Sequence, residues 1–390
     1  MVDDSGLGER TAAVQGALAA QGMRALFCRQ PENLVMLAGY WPVIGRSAIL
    51  LPADGAPILF APEMEREALA RTFIADVRTF PVWKLEDPPP EESLKRLARD
   101  AAAALRLGGT QVGAEQSPDE DLTPTQKVTE PWFPARPAAE VLAALGAEVV
   151  DASPLLREQR ARKTGTDLGR LRIANEIARF GIRAFYAAVD EGRTEAEVAA
   201  DVERAIVAQG SGHKGTIHAR GEALVFSGVD RLFRFGWGFA PTTARRLERG
   251  DLVMLELSTV ADGYYSDLTR MATVGSPSAQ QQDLLDAVAA AQQAAVAAVR
   301  PGVSGDAVDR AAREVLRQRE FEEYFIHLTG HGLGFRYHEG VPLLYPGADG
   351  VLAEGMVTSI EPGIYARTFG GVRIEENVAV TGDGAEVLSA

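Results

Sequence analysis

The sequence predicts a mixed α/β chain in two domains, the second built from two helix-helix-strand halves. Three observations carry this. Helix-like and strand-like segments alternate through about the first 150 residues. A basic segment around Arg157 to Lys163 then leads into long helical patterns and apolar strands. That second region also repeats itself at a constant offset.

In chain order, a helical pattern runs from about Glu9 to Gln21, and apolar runs at Ala25–Cys28 and Ala48–Leu51 read as strands. Prolines at 88–90 and 131–137 (PWFPARP) mark loops. The boundary is expected near Asp151 to Leu156, giving domains of residues 1–155 and 156–390. A long helix follows from about Thr166 to Val189, ending before Gly192-Arg193-Thr194. Thr194 and Glu197 have the spacing of a capping box that opens EAEVAADVERAIVAQ. A second long helix, roughly Ser278 to Val299, ends at Pro301-Gly302, and Ser304 opens GDAVDRAAREVLRQ. Gly192, Thr194 and Val198 match Gly302, Ser304 and Val308, each 110 positions on, which implies a duplicated fold with a site between its halves.

Composition narrows the partners. The 54 acidic and 40 basic residues leave a net charge of −14, which repels a phosphate backbone, so nucleic acid and anionic membranes are not expected. Cys28 is the single cysteine, so no intrachain disulfide can form, which fits a reducing compartment. The segment MVDDSGLGER is acidic where a signal peptide would be basic, and no apolar run approaches the roughly 20 residues of a membrane span. A cytoplasmic protein is expected.

The chemistry gathers in the last part of the chain. LVMLELSTV, residues 252–260, is an apolar strand interrupted by Glu256, which needs a buried partner or lies on an edge strand in water. Asp267 follows in YYSDLTR after the turn-like Ala261-Asp262-Gly263, and a carboxylate on each arm of a hairpin can converge on one point. Three of the five histidines, His327, His331 and His338, crowd into HLTGHGLGFRYHEG, where glycines permit close backbone approach. Glu361 lies in TSIEPGIY and Glu375 in GVRIEENVAV, where alternation puts Arg373, Glu375 and Asn377 on one strand face that lines a site or faces solvent. Four carboxylates and an imidazole form a hard, oxygen-rich set able to hold two divalent ions, manganese foremost, with zinc or cobalt tolerated. Two such ions can activate a bridging hydroxide, so the chemistry implied is hydrolysis.

HGLGFRYHEG, IEPGIY and GVRIEENV, preceded by GDLVMLELSTVADGYYSDLTR, resemble the pita-bread (M24) metallopeptidases, the group of prolidase and aminopeptidase P. The resemblance runs from about Arg162 onward, and the preceding domain, with PENLVMLAGY, is similar to the N-terminal domain of prolidases, aminopeptidase P and creatinase. It implies a small creatinase-type α/β domain followed by a pita-bread domain with pseudo-twofold halves. It further implies that Asp267 and Glu375 bridge two metals, that His331 and Glu361 end one of them, and that Glu256 stands where an aspartate ends the other. By the same resemblance Glu361 moves a proton, His338 steadies the substrate carbonyl, His327 lies near the residue after the cleaved bond, Thr269 supports the metals and Arg373 buttresses Glu375. Two departures stand out: Glu256 in place of aspartate, and Phe239 where the family has a substrate-binding histidine.

FRFGWGF is aromatic there. Phe235, Trp237 and Phe239 form either an apolar wall against a proline ring or one face of a buried strand, their spacing of two fitting both. The resemblance thus implies a metal-dependent Xaa-Pro dipeptidase that cleaves the bond before proline, with hydroxide attack, Glu361 as proton relay and His338 as oxyanion donor.

 A dipeptidase must also hold the free C-terminal carboxylate. Arg336, between the two histidines, is the local candidate, and Arg46, in WPVIGRS, could reach a site across a homodimer. The arginine expected a few residues after His338 in prolidases is missing, which keeps an aminopeptidase P acting on longer peptides as the alternative. Creatinase-like C–N hydrolysis and a metal-poor, non-catalytic binding protein are the readings of other classes.

Overall fold

The computed structural model describes residues 5–44, 46–82, 86–116, 139–236 and 241–390. The chain forms two compact units that divide between residues 160 and 167.

The first unit is built on a six-stranded mixed sheet. Its strands are β1 (Ala25–Cys28), β2 (Ala48–Pro52), β3 (Ile58–Pro62), β4 (Asp76–Phe80), β5 (Gln111–Ala114) and β6 (Glu148–Asp151), in the order β4-β3-β2-β1-β5-β6. The two runs read as strands from their apolar character are the central β1 and β2, buried at every position, as expected of strands covered on both faces. Helices Ser5–Ala20, Pro31–Ala38 and Pro90–Ala104 belong to this unit, and Pro31 and Pro90 each sit at a helix start, where a missing N–H costs nothing. The PWFPARP segment lies outside the described residues. Phe27, Leu50, Phe60, Phe80, Leu94 and Ala98 fill the core.

One buried carboxylate ties this unit together. Glu115 accepts from the backbone N–H of Arg29 at 2.8 Å and of Gln30 at 3.0 Å, and from Asn33 Nδ2 at 2.7 Å, at the start of helix Pro31–Ala38. Burial pushes its carboxyl up to about 7, against the pull of Asn33 and the Arg29 amide. A folded value above the unfolded one means that the folded chain keeps a proton the unfolded chain has lost. The stability from this group is therefore complete below the unfolded value and declines as pH rises toward about 7. Glu115→Gln is expected to flatten that decline. Thermal unfolding of both forms from pH 5 to 8 checks it, and parallel pH profiles would refute it.

The second unit contains the duplication. Helices Gly165–Ala188 and Glu195–Gly210 form one pair, Ala279–Ala298 and Gly305–Gln318 the other. Thr194 with Glu197 forms the expected capping box, Ser278 with Gln281 forms another, and the Ser304 side chain caps the last helix. The halves share more than their caps. Gly192 and Gly302 both adopt φ 83°, and their N–H groups donate to Leu247 O and Leu352 O. Leu247 and Leu352 in turn donate to Arg193 O and Val303 O, both at 2.8 Å.

The strands of this unit are β7 (Ala219–Ser227), β8 (Leu252–Ala261), β9 (Tyr264–Thr273), β10 (Gly330–Gly332), β11 (Glu339–Leu344), β12 (Val357–Ile360), β13 (Gly363–Ala366), β14 (Gly370–Arg373), β15 (Glu376–Val380) and β16 (Ala385–Val387). They form a three-stranded sheet β7-β8-β9, a five-stranded sheet β11-β10-β12-β15-β16 and the hairpin β13-β14. Phe226, Met254, Val288, Leu316, Ile360 and Val378 lie in one continuous core. No described helix is long and apolar enough to cross a membrane.

One local expectation is corrected. Phe235 is not on a strand face: residues Val229–Phe235 form a helix, begun after Gly228 at φ 75° and braced by the Arg234–Asp230 ion pair at 2.7 Å. Phe235 is 37% exposed, with the Arg231 guanidinium 5.5 Å from its ring centre. Trp237 and Phe239 lie outside the described residues.

Candidate active site

The site begins at the hairpin β8-β9. Asp262 and Gly263 take φ of 48° and 87°, a tight turn that lets the arms pair from end to end. In that register Glu256 lies opposite Thr269, and Ser258 opposite Asp267. The period of two then puts all four on one face. Glu256 is only 4% exposed, so of its two readings the buried one holds.

Strand β10 carries His331, and its register against β11 shifts between His331 and Gly332. His331 Nδ1 donates to Gly332 O at 2.9 Å, which leaves Nε2 facing Glu361 Oε1 at 3.3 Å and Asp267 Oδ2 at 3.5 Å. Burial opposes charge on this ring, but the Asp267 and Glu361 carboxylates outweigh it and raise His331 to about 9. Glu361 follows the end of β12, where Ser359 Oγ donates to its Oε1 at 3.0 Å. Burial lifts Glu361 to about 7, while His331 and Arg373 pull it down. The His338 ring packs edge-on to His331 with centres 4.3 Å apart, and its Nε2 is 4.0 Å from Asp267 Oδ2.

Glu375 sits between β14 and β15, where the polar row Arg373, Glu375, Asn377 is buried and does not face solvent. Its Oε2 lies 2.8 Å from Thr269 Oγ1, and its buried Oε1 has no hydrogen-bond partner. Burial, then Asp267, Glu361 and Glu256, push its carboxyl well up. Leaving such an oxygen unpaired costs on the order of 1–3 kcal/mol, and a cation there removes that penalty. The donor set fits a divalent ion. Separations of 3.3 and 3.5 Å between donors suit two ligands each about 2.1 Å from a common ion.

Other expected residues fall around this centre. His327 donates from Nδ1 to Leu328 O at 2.7 Å and accepts at Nε2 from the Tyr365 hydroxyl at 3.1 Å, and burial lowers it to about 3, so it stays neutral. Arg373 was expected to buttress Glu375; its ion pair is instead with Glu256, 2.6 Å from Oε2. Its Nε donates to Thr269 Oγ1 at 2.8 Å, a hydroxyl also 2.8 Å from Glu375 Oε2, and its charge pulls the Glu375 carboxyl down. Arg336 is half-buried in the turn between β10 and β11. Arg46 belongs to the first unit, where it is 49% exposed and paired with Glu91 at 2.9 Å.

Sequence reasoning missed Tyr337 and placed Asn377 only in a polar row, without its partner. Asn377 clamps Asp267 by accepting from its N–H at 3.0 Å and donating to its carbonyl at 2.5 Å. Tyr337 is fully buried with its hydroxyl 2.5 Å from Glu256 Oε1 and 2.6 Å from Asp267 Oδ1. Its one signal was position, immediately before His338.

The profile of metallopeptidase family M24 matches residues 169–382, and that of the creatinase/prolidase N-terminal domain matches residues 10–162. The chain belongs to metallopeptidase family M24. The resemblance read from the four motifs is borne out, as is the expected fold of a creatinase-type domain and a pita-bread domain. This M24 chain is 36% identical over 348 residues to "Probable dipeptidase PepE" of Mycobacterium tuberculosis, covering 87% of this chain and 82% of the relative. It is 31% identical to an Xaa-Pro dipeptidase of Lactobacillus delbrueckii subsp. lactis, over 95% of this chain and 94% of the relative. The crystal structure of the prolidase from Pyrococcus horikoshii superposes with a TM-score of 0.75 at 27% identity, covering 98% of each chain. As an M24 member the chain is a peptidase, and its family implies divalent metal at the acidic and histidine cluster.

Proposed function

We propose that the chain is a metal-dependent Xaa-Pro dipeptidase that hydrolyses the bond before a C-terminal proline. The observation that carries this reading is the buried donor set Asp267, His331, Glu361 and Glu375, with His338 at its edge, on a chain similar along nearly its whole length to an Xaa-Pro dipeptidase. These four donors suffice for one divalent ion, and manganese suits them best because carboxylates outnumber imidazoles; zinc or cobalt would substitute. When bound, the metal supplies a Lewis acid and a nucleophilic water near neutral pH.

The protein's own groups do the rest. Glu361 takes the proton of the attacking water and returns it to the proline nitrogen as the bond breaks. His338 Nε2 donates to the scissile carbonyl oxygen as negative charge develops there. Neutral His327, held by Tyr365, lines the proline side. Arg336 receives the free carboxylate, and in a homodimer the partner's Arg46 would be a second source of positive charge.

Steady-state kinetics with added Mn²⁺ on Xaa-Pro dipeptides and matched Xaa-Pro-Yaa tripeptides test the reading. Dipeptides are expected to be preferred by about tenfold or more in kcat/KM, the worth of one charge-assisted contact. Preference for the tripeptide would make the enzyme an aminopeptidase, and hydrolysis of neither would end the proposal. Arg336→Ala is expected to raise KM for the dipeptide roughly 10- to 100-fold with little change in kcat. An unchanged KM would remove Arg336 from carboxylate recognition and turn attention to Arg46→Ala.

A further inference from the structure

We infer that Tyr337 and Arg373 take the place of one metal ion in this chain, so that it binds a single divalent ion and Glu256 is not a ligand. The inference rests on the metallopeptidase reading of the same site and concerns how many ions that site holds.

Both oxygens of Glu256 already have neighbours, with the single Tyr337 proton shared with Asp267 and the single Thr269 proton shared with Glu375. Its Oε1 meets the Tyr337 hydroxyl at 2.5 Å, and its Oε2 meets the Thr269 hydroxyl at 2.9 Å and Arg373 at 2.6 Å. The phenol oxygen is also 2.6 Å from Asp267 Oδ1, so it stands between the two carboxylates that a second ion would join. A cation bonded to Glu256 Oε1 and Asp267 Oδ1 at about 2.1 Å would have to displace that hydroxyl, even though Glu256, Asp267 and Glu375 offer donor atoms within 4.8 Å of one another. Arg373 meanwhile supplies the positive charge that Glu256 needs, and a guanidinium this close repels a further cation.

Both groups are fixed. Tyr337 is fully buried, with its ring packed 4.5 Å from that of His338. Arg373 is held by Glu256, by Thr269, by Gly236 O at 2.9 Å and by the Tyr365 hydroxyl at 3.4 Å. The extra methylene of glutamate over aspartate is what carries this carboxylate out to them. On the other side of the cluster the picture reverses. Glu375 Oε1 has no partner, and His331 Nε2 faces Asp267 Oδ2 and Glu361 Oε1 at distances that suit a shared ion.

The test is the manganese content of the full chain, stripped with chelator, reloaded with Mn²⁺ alone and freed of excess metal. Wild type is expected to hold one ion per chain, with the electron paramagnetic resonance spectrum of an isolated ion. Tyr337→Phe keeps the ring and removes the hydroxyl, and it is expected to tighten a second ion roughly 10- to 100-fold, giving the spectrum of a coupled pair. Glu256→Gln is expected to leave the affinity of the first ion within about threefold. Two tightly bound, coupled ions in wild type would overturn the inference. So would a Tyr337→Phe protein that still binds one ion or none, or a larger loss of affinity in Glu256→Gln. If Tyr337→Phe does not fold, the wild-type count and Glu256→Gln decide alone. Xaa-Pro hydrolysis by the same samples separates the two proposals. An inactive one-ion protein would defeat the dipeptidase reading and leave the ion count, whereas an active two-ion protein would do the reverse.

Discussion

His331→Ala is expected to cost about a thousandfold or more in hydrolysis of Xaa-Pro dipeptides, together with most of the bound metal. The imidazole Nε2 lies between Asp267 and Glu361, at 3.5 and 3.3 Å, and alanine leaves nothing in its place. The loss should exceed the roughly 10- to 100-fold typical of groups that only orient a ligand. Metal content and kcat/KM of a variant whose circular dichroism matches wild type check this. A folded variant with near wild-type rate would remove His331 from the metal site.

Gly330→Ala should have the largest effect on stability. A Cβ at this position would overlap the carbonyl oxygen of Ser359 on the neighbouring β12, which is backbone and cannot swing aside. Separating β10 from β12 carries His331 away from Glu361, so the same substitution should loosen the metal. Overpacking of this kind costs about 3 kcal/mol or more where the obstacle is rigid. A drop in the thermal midpoint with a parallel loss of Mn²⁺ affinity is the expected result, and an unchanged midpoint would show that β10 and β12 part without strain.

Much of this was legible in the sequence because its signals were local. Thr194 and Glu197, Ser304, and the apolar runs at Ala25–Cys28 and Ala48–Leu51 announce caps and strands through residues next to one another. The donors were legible through motif and glycine spacing. What escaped depends on contacts between distant segments. Tyr337 reads as one more apolar position until the fold brings Glu256 beneath its hydroxyl, 81 residues away along the chain. Arg373 was assigned to Glu375 because sequence cannot tell which of two nearby carboxylates a long side chain reaches. Phe235 misled because alternating aromatics suit a strand, whereas a four-residue Asp230–Arg234 spacing favours the helix that forms.

The clamp of Asn377 on Asp267 joins residues 110 positions apart, the same interval that separates Gly192 from Gly302. Each half of the duplicated unit therefore reaches the centre incomplete, one bringing Asp267 and the other His331, Glu361 and Glu375. His331, Glu361 and Glu375 can converge within the second half, but the full donor set with Asp267 forms only when both halves have met, so the tightest loading comes late in folding, after the cost of closing a long loop has been met. Once loaded, the ion favours the assembled state by about 4 kcal/mol at a thousandfold excess over its dissociation constant. Metal starvation would then act on this protein twice, silencing it and shortening its life in the cell.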